Sequence, residues 1–184
     1  MIGSVSLGTS ALTLHQVPAM QATGLSLAAA STVAGTRGLF QFGGRMFLAP
    51  LVARLGLTGA LAACYFVSAG GTRLLAGAGS LAMVLVFIGL TGVALGLLSP
   101  LHGLFATEVY GESQLGELMG AQQVVASICG AAGPWLAGLA FDWTGTYLVV
   151  LVGAAVLQLG GIVPLMLQHP RRALWRRAHV ASEP

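Results

Sequence analysis

This sequence predicts an all-α membrane protein, with five full transmembrane helices and a partial one at its N-terminus. Three observations predict it. Mean hydropathy is +0.87. Charged residues make up only 7% of the chain, where a soluble domain carries about 25%, so lipid rather than water must solvate most of the surface. The ionisable residues are also spaced to leave long gaps: residues 55–72, 118–141 and 143–168 carry no charge, and 74–107 contain only His102. Crossing the hydrocarbon core takes about 20 apolar residues at about 1.5 Å rise each, and each gap accommodates a crossing.

In chain order, the first element is a partial helix at residues 2–17. It looks like the later part of a helix whose beginning is missing. No basic region precedes its apolar stretch, so it does not read as a secretory signal. Full helices follow at 25–51, 57–77, 81–106, 116–140 and 146–168. The chain holds 27 glycines, too many for a soluble helical protein, but in lipid small residues let helices approach closely. A closed β-barrel is excluded by residues 81–98, which lack the alternation of apolar and polar positions that barrel strands need. Residues 1–168 form one unit and residues 169–184 a basic tail.

Arginine distribution sets the orientation. Arg171, Arg172, Arg176 and Arg177 crowd the tail and Arg54 sits in the turn between the second and third segments, whereas the loops 21–24, 77–80 and 142–145 contain no Arg or Lys. Positive charge favours the cytoplasmic side, so the C-terminus is expected in the cytoplasm. Glu108, Glu112 and Glu117 cluster at a turn on that same side, but acids contribute little to the rule. Trp175 among the tail arginines reads as an interfacial anchor. The basic tail is accounted for by anionic lipid, and no nucleic acid is expected as a partner.

Arg45 is the residue that asks for an explanation. It lies nine residues before Arg54 in an apolar stretch, about 13 Å up a helix from the cytoplasmic end. A charge near the midplane costs roughly 2.5–3.5 kcal/mol on insertion scales and faces a bundle interior or a watery cavity. Arg37, two turns further on, is expected to snorkel to the outer interface, as is Arg73.

Three stretches together resemble the major facilitator superfamily. The first is His15-Gln16-Val17-Pro18, followed by Gly24-Leu25-Ser26 and Ala28-Ala29. It is similar to the family's outer turn between helices seven and eight. The second is Gly44-Arg45, then Ala49-Pro50-Leu51-Val52-Ala53-Arg54-Leu55-Gly56. It resembles the G-x-x-x-D-R-x-G turn between helices eight and nine, with Ala49 for the usual Gly and Ala53 for the usual Asp. The third is Gly133-Pro134-x-x-x-Gly138, then Asp142-x-Thr144-Gly145-x-Tyr147, similar to the end of helix eleven and its outer turn. The resemblance implies the C-terminal half of a twelve-helix carrier, with helix seven incomplete. It further implies alternating access around a site near the midplane between the two halves.

Several residues are candidates for the work of such a carrier. Arg45, with Gln41 one turn earlier, would receive an anionic solute or a carboxylate, or would lock the inner ends of helices; both roles are open. His102 reads either as a proton relay or as a hydrogen-bonded packing residue. Gln123 and Ser127, four apart and on one face with Gln122 beside them, would line a polar cavity or satisfy each other between helices. Gly89, Gly92, Gly96, Gly130, Gly133 and Gly138 read as close-packing surfaces, and Pro134 as a kink.

Cys64 and Cys129 read as small apolar packers, and no C-x-x-C pair or His/Cys cluster suggests a metal or cofactor. No G-x-S-x-G or P-loop is present, so neither an enzyme nor an ATP-driven pump is expected. The expected function is secondary active transport of a small solute across the cytoplasmic membrane, an organic anion if Arg45 binds it. The alternative is a truncated or accessory membrane chain with no transport of its own. Expected partners are membrane lipid, a small-molecule substrate, and the missing N-terminal half or another membrane chain.

Overall fold

The computed structural model describes residues 2–111 and 115–167. Its elements are α1 (Ile2–Ala22), α2 (Leu27–Gly44), a 3-10 turn (Arg45–Phe47), α3 (Leu48–Ala76), α4 (Leu81–Tyr110), α5 (Leu115–Thr144) and α6 (Tyr147–Gly160). Helical backbone resumes after Gly161 over residues 162–167. The expected tail, 169–184, with Trp175 and its arginines, lies outside the described residues, as does Glu112.

Side-chain caps set the starts of three helices. Ser26 Oγ accepts from the Ala29 N–H at 3.2 Å, Ser80 Oγ from the Met83 N–H at 3.4 Å, and Thr146 Oγ1 from the Leu148 N–H at 3.2 Å. Each supplies an acceptor to an N–H that has no partner in the first turn. The tightening into a 3-10 turn at Arg45–Phe47 falls just before Pro50. Proline there removes the donor for the Met46 carbonyl and crowds it.

Helical backbone then continues to Leu55 and breaks at Gly56, where φ is 68° and ψ 170°. That conformation is essentially restricted to glycine. Four helical stretches among the described residues are long and apolar enough to cross a membrane: Leu27–Ala76, Leu81–Tyr110, Leu115–Thr144 and Tyr147–Leu167. Five were expected. The difference arises at Gly56, which divides the first stretch of 50 residues into an outward and a return arm. The N-terminal helix also differs from expectation. It runs on through Pro18 to Ala22, past the expected end at Val17, and has 21 residues.

The helices pack in an arc, in the order α2, α4, α3, α6, α1, α5. The core lies inside it, with Leu61, Tyr65, Leu101 and Leu165 in one cluster and Leu12, Met20, Phe87 and Leu151 in another. Contact between α4 and α5 is slight, which leaves a gap between them. Glycines bring two pairs of helices together. A Cβ on Gly96 of α4 would collide with the Gln41 carbonyl of α2, and one on Gly44 would sit 2.9 Å from the Val93 Cα. On the other side, a Cβ on Gly133 of α5 would collide with Ser10 Oγ and the Leu7 carbonyl of α1. Gly130 and Gly138 have nothing within 4 Å of a Cβ, so close approach of α1 and α5 rests on Gly133 rather than on all three.

The outward surface is apolar. Leu39 and Phe42 on α2, Met46 in the 3-10 turn, and Val124, Ile128 and Trp135 on α5 are all exposed. On α5 only Gly133 and Ala137 are buried. Such a surface suits hydrocarbon, not water.

Candidate functional site

A cleft of about 560 Å³ opens between α1, α4 and α5. From α1 it is lined by Ser6, Thr9, Ser10 and Thr13, whose i, i+3, i+4, i+7 spacing puts four hydroxyls on one helical face. From α4 come Ser99 and His102, and from α5 Gln122, Gln123, Gly130 and Pro134. Leu95, Leu98 and Met119 supply apolar wall between them. Pro134 has no N–H, so the Gly130 carbonyl in the wall lacks its usual helical donor.

His102 is held from behind. Its Nε2 lies 2.6 Å from Tyr65 Oη of α3, and Tyr65 is fully buried in the core. Here the structure joins a residue in the cleft wall to the core by a side-chain hydrogen bond. Gln123 Nε2 donates to Ser127 Oγ at 3.3 Å; Gln123 faces the cleft, and Ser127 is exposed outside its wall.

At the end of the cleft near Pro134, His15 Nε2 is 3.2 Å from the Pro134 carbonyl oxygen. The His15 ring lies 6.2 Å from Tyr147, which stacks on Phe141 at 4.3 Å. Asp142 and Gly145 belong to this corner, where Gly145 has φ 66° and its N–H donates to the Phe141 carbonyl at 2.7 Å.

The second sequence motif lies elsewhere. Gln41 and Gly44 are on the α2–α4 seam, Arg45 is exposed in the 3-10 turn, and Arg54 and Gly56 are exposed at the break. None of them is in the cleft wall. The structure thus brings His102, Gln123 and Pro134 to one cavity and leaves Arg45 and Gln41 apart from it.

Arg37 corrects an expectation. It does not snorkel to the interface but is 5% exposed, about 15 Å along α2 from Leu27. Its Nη2 donates to Thr91 Oγ1 at 3.0 Å, and its guanidinium carbon sits 5.3 Å from the Phe87 ring centroid. The glycine seam explains this. With Gly92 opposite it, α2 lies so close to α4 that the Arg37 stem is enclosed. Arg73, by contrast, is exposed near the end of α3.

Sequence reasoning missed Tyr65, the contact of His15 with Pro134, and the hydroxyl face of α1. Only the last has a local signal, its heptad-like spacing. Among the described residues no three His, Cys, Asp or Glu side chains come together, so what the wall offers is hydrogen bonds.

Long apolar helices with an apolar outward surface define an integral membrane protein. The chain belongs to the Major Facilitator Superfamily, whose profile matches residues 1–182. That is a family of membrane transporters rather than enzymes. No curated protein and no solved structure gives a significant match.

Proposed function

We propose that this chain is the C-terminal half of a secondary active transporter that moves a small solute by alternating access, driven by a solute or ion gradient. The observation that carries the proposal is the cleft between α1, α4 and α5: polar side chains converge there inside an otherwise apolar bundle. Polar groups in a membrane interior are expensive and mark pathways. Arg45 lies outside the cleft, so the proposal does not depend on it. The cell membrane is the expected site, with the C-terminus in the cytoplasm, on the strength of the arginine distribution. The exposed Gln123–Ser127 pair on α5 supports a second set of helices packing against that face.

The test is gradient-driven uptake in proteoliposomes that hold this chain together with a complementary half, screened over labelled solutes. Ser99→Trp would fill the cleft and should lower uptake at least tenfold, while Arg73→Gln should not. Full uptake by correctly inserted Ser99→Trp would sink the proposal. No uptake from any pairing would favour the accessory chain without transport.

A further inference from the structure

We infer that the cleft takes an uncharged solute that carries hydroxyl or amide groups together with an apolar portion. This rests on the transport reading above, and it concerns the chemistry of the solute. The hydrogen-bonding groups of the wall are neutral and of both kinds. The α1 hydroxyl oxygens accept, and the Gln122 and Gln123 amides both donate and accept. The Gly130 carbonyl adds an acceptor whose helical donor is removed by Pro134. Ser10 and Thr13 already spend their own protons on the Leu7 and Thr9 carbonyls, at 3.1 and 2.8 Å, so their oxygens face a solute chiefly as acceptors. A solute rich in O–H or N–H donors fits that balance.

Among the described residues no Arg, Asp or Glu lines the cleft. Arg37 lies outside the wall, with Nη2 on Thr91 Oγ1 and with Nε and Nη1 buried without a hydrogen-bond partner, and Arg45 is exposed in the turn after α2. His102, the one titratable side chain in the described wall, has Nε2 bonded to Tyr65. A charged solute would leave water and gain no counter-charge from this half's described wall, which is strongly unfavourable. A neutral donor-rich solute exchanges hydrogen bonds to water for hydrogen bonds to the wall. Leu95, Leu98 and Met119 then favour a molecule with an apolar part over one that is polar all round.

The experiment uses the full chain in liposomes, with Cys64→Ala and Cys129→Ala to remove native thiols and Ser99→Cys as a reporter in the wall. Its rate of labelling by a membrane-impermeant thiol reagent is measured with and without size-matched solutes. The panel pairs phenyl glucoside with phenyl glucuronide, and benzamide with benzoate and benzylamine. Protection by an uncharged member at a concentration at least tenfold below its charged partners, weakened at least fivefold by Gln122→Leu, is the expected result. Equal or better protection by a charged member overturns the inference. Labelling without protection by any member also counts against it, yet leaves the water-filled path of the transport reading intact. A reporter that no reagent reaches overturns both.

Discussion

The Tyr65 hydroxyl and His102 Nε2 meet at 2.6 Å, and this bond ties the wall of the cleft to the centre of the bundle. Tyr65 is completely enclosed, so the imidazole is its link to the polar side of the protein. Tyr65→Phe keeps the ring packing and removes the bond. It should cost about 1 kcal/mol, read as a lowered melting temperature in detergent. A double-mutant cycle with His102→Leu should return a coupling of about 0.5–1.5 kcal/mol. Coupling near zero would show that the two rings are neighbours without a bond of consequence.

The seam between α2 and α4 should tolerate no added atom at Gly96. Gly96→Ala puts a methyl group into the Gln41 carbonyl, and overpacking of that kind costs about 1–3 kcal/mol. Gly35→Ala on α2 has nothing within 4 Å and should gain up to about 1 kcal/mol from helix propensity. Thermal melts of the two variants should therefore move in opposite directions. A shared direction would mean that the helices are not held as close as the structure has them.

Arg37 and Thr91 should respond asymmetrically. Thr91→Val removes the acceptor of Arg37 Nη2 and leaves a buried cation with one fewer partner, a loss of about 1–3 kcal/mol. Arg37→Met replaces the cation by an apolar chain of similar length. It should be neutral or stabilising by about 1–4 kcal/mol, as when buried charges give way to well-packed apolar groups. The check is melting temperature in matched detergent. Destabilisation by Arg37→Met larger than that by Thr91→Val would assign the guanidinium a stabilising counter-charge.

At Gly56 any side chain is strained. Gly56→Ala should cost about 1–3 kcal/mol from the backbone alone, with nothing within 4 Å to clash. The measurable outcome is lower stability together with altered protease access at Arg54. An unchanged melt and cleavage pattern would mean that the turn adopts another geometry.

The spans were legible because their cause is local. Any helix in hydrocarbon needs its run of apolar residues, and 81–106 or 146–168 could be read by counting. Gly56 was legible as a turn because its motif places a glycine where a helix must stop. Arg37 was not, because inward or outward depends on Thr91, 54 positions away. Periodicity gives the face of a helix but not what it meets. The same holds for the cleft: Gln122, Gln123 and His102 could each be singled out, whereas their convergence with the α1 hydroxyls depends on the arc of packing. Arg45 was conspicuous by its charge, yet what put it outside the cleft was the crossing of α2 over α4 at Gly96.

The break at Gly56 also fixes the sidedness of everything downstream. Because the backbone reverses there, Ala76 returns to the membrane face from which Leu27 departed. Were the same 50 residues one uninterrupted rod, Ala76 would emerge on the opposite face. Helices α4, α5 and α6 would then each cross in the direction opposite to their present one. The parity of the chain's crossings, and with it the compartment that each later loop reaches, turns on the dihedral angles of a residue with no side chain.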